Sequence, residues 1–328
     1  VRPVIAERAA EQLSDGKAVF RIAYFGLPLV ACLLVREGFS IEVAVLPPIA
    51  APGGFRLERL LGNRVVRLTE GQDARGLDDA LLERMGTPDL LVSWYYSRRL
   101  SPRLLGRPRL GAIGAHPSLL PRHRGPNPFF AAIDAGDART GVSIHRLEED
   151  YDTGDVLLAE SIDVGDRDAW QLARALDRPS VRRLLQATRR FANGMSPEGL
   201  PQDPSLATWA PEPKGDLLRV EWSWETARVL RRIRALSPVP GLALEIGECE
   251  LFVTRAAAAS DYPRALLPGE AARVGDAIVV RTADGAIALE RAQLVTDDED
   301  DSGTLLDAAG IASATALQGV AAPATAIG

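Results

Sequence analysis

The stretch Gly111-Ala-Ile-Gly-Ala-His116-Pro117-Ser118-Leu119-Leu120-Pro121-Arg122-His123-Arg124-Gly125 joins an apolar run to a histidine and then to a loop stiffened by two prolines. It reads as a buried strand that delivers His116 to its end, where modest changes of surroundings move an imidazole across neutrality. Such a group suits acid–base work or stabilisation of an oxyanion. An isolated histidine at such a place is more often an ordinary hydrogen-bonded loop residue. Further along, Asp152 stands in Asp-Thr-Gly154; alone it reads equally as a turn aspartate ahead of a glycine. Together the two are more informative, because a carboxylate there can orient the imidazole or receive a proton through water.

Both residues need strands to place them. From 20 to 140, β-rich runs (Phe20–Phe25, Ile41–Leu46, Leu90–Trp94, Ala112–Ala115) alternate with helical patterns such as Leu29–Glu37, which predicts a parallel sheet with crossover helices. Ligands usually sit at the carboxyl ends of such strands. The first strand ends in Gly26-Leu27-Pro28, a tight turn able to admit a phosphate or a cofactor, but Gly-x-Gly-x-x-Gly is absent, which argues against a nicotinamide dinucleotide. Two strands between Val142 and Leu158 flank an acidic loop, and a helical pattern follows from Asp168 to Asn193. Pro201 to Pro213 reads as a linker. Beyond it a helix, Glu225–Leu236, precedes short strands at Leu242–Glu245, Glu250–Thr254, Ala277–Arg281 and Ala286–Leu289, punctuated by glycines in the manner of a small barrel. The expected fold is therefore α/β: a Rossmann-like parallel-sheet domain over 1–200, a linker over 201–215, a barrel over 216–310 and a disordered tail over 311–328.

With 46% hydrophobic and 25% charged residues the chain reads as a soluble globular protein. No run approaches the roughly 20 apolar residues of a membrane span, and the stretch Val1–Phe20 lacks the apolar core of a signal peptide, so the expected location is cytoplasmic. Cys32 and Cys249 lie far apart in predicted elements and read as core residues, with neither a disulfide nor a metal cluster indicated. A net charge of −6 excludes a surface that is basic all over and leaves room for a local basic groove.

The run His-Pro-Ser-Leu-Leu-Pro-x-x-Arg-Gly at 116–125, then Gly136-Asp137, Thr140-Gly141-Val142-Ser143-Ile144 and Asp152-Thr153-Gly154, closely resembles the core of the formyltransferases that use N10-formyltetrahydrofolate. Gln202-Asp203-Pro204-Ser205-Leu206-Ala207-Thr208-Trp209-Ala210-Pro211 resembles the linker of the branch that formylates methionyl-tRNA, and Val220-Glu221-Trp222-Ser223 through Arg231–Gly241 looks like the start of its small barrel. The resemblance implies a folate cleft in the first domain and an oligonucleotide-binding (OB) type barrel in the second. It implies that an amine attacks the formyl carbon while an Asn, a His and an Asp handle the tetrahedral intermediate. His116 matches the histidine and Asp152 the aspartate that accepts the proton. The asparagine position holds Gly114, which has no side-chain donor. Asn127 from the neighbouring loop, or an ordered water above Gly114, is the candidate replacement.

By the same resemblance, Leu91 to Trp94, Ile144 and the loop with Glu149, Asp150 and Tyr151 line a pterin slot, while Ser118, Leu119 and Pro121 match the loop beside the folate tail. Trp94 reads equally as core. No metal is implied. Initiator methionyl-tRNA is the expected acceptor, with Arg231, Arg232 and Arg234 on a predicted helix as candidate phosphate contacts. Against it, the Pro47–Arg64 loop is shorter and less basic than the corresponding insertion, and Asn127-Pro128 is similar to formyltransferases acting on nucleotide-linked amino sugars, so a small amine acceptor is the alternative. Gly114 also motivates a third expectation, a folate-binding homologue without activity.

Overall fold

A computed structural model describes residues 19–70, 78–294, 304–317 and 322–326. The stretch Val1–Phe20 therefore lies almost wholly outside the described residues. The first sheet holds β1 (Arg21–Gly26), β2 (Ser40–Leu46), β3 (Val65–Arg67), β4 (Leu90–Trp94), β5 (Ala112–His116), β6 (Arg139–Arg146) and β7 (Val156–Asp163) in the order 3-2-1-4-5-6-7. β1 pairs in parallel with β2 and β4, and β4 with β5; β6 then runs antiparallel to β5. Every residue of β4 is buried and all but the first of β1 are, as expected of strands covered on both faces. Between and after these strands along the chain come the helices α1 (Pro28–Arg36), α2 (Gly54–Leu61), α3 (Asp78–Met85), α4 (Pro102–Leu105), α5 (Pro128–Asp134), which belongs to the second unit below, and α6 (Ala169–Ala192), whose first turns do too. α1 starts at a proline, whose missing N–H is no loss in a first turn.

The chain divides into two compact units. One comprises 1–126, 141–162 and 176–209; the other comprises 127–140, 163–175 and 210–328. The second unit contains α7 (Thr226–Leu236) and the strands β8 (Leu242–Ile246), β9 (Cys249–Ala258), β10 (Glu270–Val274), β11 (Ala277–Arg281), β12 (Ala286–Leu294), β13 (Leu305–Asp307) and β14 (Ala322–Ala326), with α8 (Ala308–Ala314) between the last two. Their order 11-10-14-8-9-12-13 closes through a β11–β12 pairing into a six-stranded antiparallel barrel consistent with an OB-type fold, β13 lying outside the ring on β12.

Past Gly310 the structure departs from the disordered tail expected there. α8 buries Ile311 and Ala312, and β14 pairs with both β8 and β10, filling the gap that would otherwise leave two strand edges open. Cys249 is buried on its strand, whereas Cys32 is only half-buried beside the Gly53 carbonyl.

Candidate active site

His116 ends β5, and its neighbour across the antiparallel pair is Ser143 of β6. The Ser143 hydroxyl donates to the Ser118 carbonyl at 2.8 Å and accepts from the Leu120 amide at 3.0 Å, while the Ser118 hydroxyl donates to the Arg122 carbonyl at 2.7 Å. The Pro-rich loop is thereby fixed to the sheet. His116 Nε2 lies 2.7 Å from the His123 carbonyl oxygen, which can only accept, so Nε2 carries the proton. Nδ1 then faces Asp152 Oδ1 at 3.4 Å.

Asp152 reaches this place from the loop between β6 and β7 in a left-handed backbone conformation, φ +58°. Gly154 lets the loop close: a Cβ there would overlap the Arg146 carbonyl, whose own amide donates to the Asp155 carbonyl at 3.0 Å. Asp152 Oδ2 accepts from the Gly125 amide at 2.9 Å, tying the acidic loop to the histidine loop.

A third residue completes the group, and sequence reasoning missed it. His145 pairs with Gly114 across β5 and β6, is buried, and has Nε2 3.5 Å from the same Asp152 Oδ1. Its Nδ1 lies 2.8 Å from the Arg146 carbonyl and so carries the proton. Burial pushes the His145 imidazole down to about 4, a shift that the Asp152 carboxylate opposes and His116 reinforces. At neutral pH the ring is therefore uncharged. His116 Nδ1 and His145 Nε2 thus both face one carboxyl oxygen. A carboxyl oxygen so placed can exchange a proton with either ring. The signal available in the sequence was that all three histidines of the chain fall within 116–145, around these motifs.

The Gly114 side of the site is different. The ideal Cβ position of Gly114 lies 2.7 Å from Leu147 Cδ2 and 3.4 Å from its Cγ. The space expected to hold a water is thus occupied by an apolar side chain. Asn127 is no replacement donor either: it caps α5, its Oδ1 accepting from the Phe130 amide at 3.1 Å and its Nδ2 donating to Glu212 at 3.2 Å.

A cleft lies beside this pair, lined by Ser93, Tyr96, Arg98, Arg99, Leu100, Leu105, Leu147 and Glu148 to Tyr151. Glu149, Asp150 and Tyr151 are among its lining residues. Leu91, Trp94, Ile144 and Ser118 do not line it: all four are buried, Leu91 in the hydrophobic cluster beneath the cleft and Trp94 with its indole N–H donating to the Ser180 hydroxyl at 2.8 Å. Leu119 and Pro121 are half-buried in the histidine loop. The free space is about 60 Å³, against a few hundred for a filled ligand pocket. Arg99, one of its lining residues, pairs with Asp150 at 3.3 Å and lies 5.0 Å over the Tyr151 ring. The Gly26–Pro28 turn is stitched to β4 by the Leu27 amide and the Trp94 carbonyl at 3.0 Å.

In the second unit, Arg232 is buried. Its Nε and Nη2 donate to Asp134 at 2.6 and 2.9 Å and its Nη1 to the carbonyls of Leu217 and Arg219 at 3.0 and 2.8 Å. Arg234 donates to the Gly165 carbonyl at 2.9 Å, and Arg231 is half-buried against Gly136. Arg232 therefore builds the unit and is not a phosphate contact. Among the described residues no helix is long and apolar enough to cross a membrane.

Residues 68–188 match the formyl transferase family and residues 214–300 the formyl transferase C-terminal domain. A protein of Ralstonia nicotianae named methionyl-tRNA formyltransferase is 34% identical over 277 residues, 82% of this chain and 83% of the relative. A Pseudomonas fluorescens protein of the same name is 36% identical, over 84% of this chain and 88% of the relative. Among solved structures, HypX from Aquifex aeolicus in complex with tetrahydrofolic acid shares the fold with TM-score 0.63 at 20% identity, over 91% of this chain and 48% of that one. WlaRD, a sugar 3N-formyl transferase solved with dTDP and 5-N-formyl-THF, does so with TM-score 0.61 at 14% identity, over 86% of this chain and 100% of that one. With both of the family's domains matched in order, this chain belongs to the formyltransferase family.

Proposed function

We propose that this protein transfers the formyl group of N10-formyltetrahydrofolate to an acceptor amine, with methionyl-tRNA as the acceptor. The observation that carries the transfer is the meeting of His116 Nδ1 and His145 Nε2 on one oxygen of Asp152. An amine that attacks a formyl carbon must give up a proton, and this oxygen is equipped to take it. The amine nitrogen bonds the formyl carbon, the carbonyl electron pair moves to oxygen, and the amine proton passes to Asp152. Collapse restores the carbonyl and breaks the carbon bond to N10, which leaves with a proton returned through His116. The products are the formylated amine and tetrahydrofolate. Gly114 offers the oxyanion no side-chain donor, which lowers turnover by about 10²–10³ relative to a site with one more donor.

The tRNA acceptor is supported by the relatives of that name, whose likeness covers most of the chain. A small amine is a second reading, favoured by one observation. Asp216 to Gly328 carries ten arginines, no lysine and seventeen acidic residues, and Arg232 and Arg234 are engaged internally. Binding a phosphate backbone needs free cations and weakens steeply with salt. Formyl transfer to charged methionyl-tRNA measured across a salt series separates the readings. Transfer that falls steeply with salt supports tRNA. Transfer to a nucleotide-linked amino sugar with little salt dependence, and none to tRNA, supports the small amine. Absence of transfer to either, with the folate bound, overturns the proposal.

A further inference from the structure

The linker between the two matched domains does more than connect them. Leu200 and Val156 exchange backbone hydrogen bonds at 2.9 Å, the Arg124 amide donates to the Thr208 carbonyl at 2.9 Å, and the Thr208 hydroxyl accepts from the His123 amide at 2.8 Å. The segment from Leu200 to Thr208 thus runs along both loops that carry the site. At its centre is Gln202, whose carboxamide is fully used. Nε2 donates to the carbonyls of Asp152 at 2.8 Å and Gly154 at 2.7 Å; Oε1 accepts from Arg124 Nε at 3.1 Å and Nη2 at 2.7 Å.

These bonds close a ring. Gln202 holds the backbone of Asp152, whose carboxylate faces His116; His116 is held by the His123 carbonyl; and Arg124, the next residue, returns to Gln202. Two members, Asp152 and His123, have left-handed backbones at φ +58°. Such conformations persist only where the surroundings enforce them, and Gln202 is the side chain that grips one directly and the neighbour of the other. We propose that Gln202 is a positioning residue for formyl transfer, setting the distance between the Asp152 carboxylate and the His116 imidazole by clamping the two loops together. This rests on the transfer reading above and adds to it a residue that touches neither substrate.

The test compares Gln202→Leu and Gln202→Glu in the full chain. Glutamate still accepts from Arg124 but cannot, when ionised, donate to the Asp152 and Gly154 carbonyls. Both variants are expected to keep the parent's circular dichroism and its KM for N10-formyltetrahydrofolate, and to lose about 100-fold in kcat, the scale of a small misplacement of reacting groups. A second readout is independent of activity: with three histidines in the chain, the ¹⁵N signals of the His116 ring report whether Nε2 still carries the proton. They should change in both variants. A folded Gln202→Glu with the parent's kcat would overturn the proposal. So would unaltered His116 ring signals in both variants, whatever the parent's activity; a parent that forms no product while its variants show altered ring signals would sink the transfer reading and leave the clamp standing.

Discussion

The site has two unlike halves. All three oxygens of Asp152 have neighbours to meet: two imidazoles face Oδ1, the Gly125 amide holds Oδ2, and Gln202 holds the backbone carbonyl. Around Gly114, on the same strand pair, the side chain nearest the position of the missing Cβ is the apolar Leu147. In the proposed reaction the half around Asp152 receives a proton and is held by several hydrogen bonds, whereas the half around Gly114, which would steady a developing oxyanion, meets an apolar side chain first. On the proposed reaction, proton handling and oxyanion stabilisation fall to different groups, and altering one should leave the other readable.

The largest expected effect comes from breaking the polar half. Asp152→Asn keeps the shape and tolerates the left-handed backbone, yet cannot accept a proton; formyl transfer should fall by about 10³ or more, within the range of lost general acid–base catalysis. Single-turnover rates check it, and a loss below tenfold would mean that the proton leaves by another route. Sharpening the contrast from the other side, Gly114→Asn combined with Leu147→Ala should raise kcat by about 10²–10³ by restoring a donor. Gly114→Asn alone should gain less, because its Cβ meets Leu147 at 2.7 Å.

The smallest effect concerns stability. His145 is held near 4, below its ordinary 6.5, so between those values the unfolded chain binds the extra proton and the folded one does not. Stability is therefore complete above about pH 6.5 and declines as pH falls towards 4, by about 3 kcal/mol for a shift of this size. Denaturant melts of the parent and of His145→Gln across that window measure it. The variant should show a flatter profile, and equal slopes would place the burial cost elsewhere.

Much of the frame was legible in the sequence because its strands are apolar runs bounded by turn residues. Leu90–Trp94 agrees residue for residue, and the helix expected over Asp168–Asn193 forms as Ala169–Ala192. β10, Glu-Ala-Ala-Arg-Val, and β14, Ala-Pro-Ala-Thr-Ala, were not legible: neither has the β-branched composition of a strand, and each exists through its pairing with barrel neighbours. In the site, His116 and Asp152 stood out by type and spacing. His145 did not, since a histidine in mid-strand looks like one more alternating residue until the pairing with Gly114 turns it towards Asp152. Leu147 was illegible for a related reason: what fills the space above a glycine is decided across strands, not along the chain. Leu91 and Trp94, expected by resemblance to line a pterin slot, are buried, and the cleft beside them is lined by the neighbouring residues Ser93 and Tyr96.

The most direct test of the whole account is formyl transfer from N10-formyltetrahydrofolate by the unaltered protein beside His116→Ala, with the acceptor that the salt series identifies. The account predicts product from the parent and its loss in the variant while the folate still binds. A variant that transfers formyl groups at the parent's rate would contradict it.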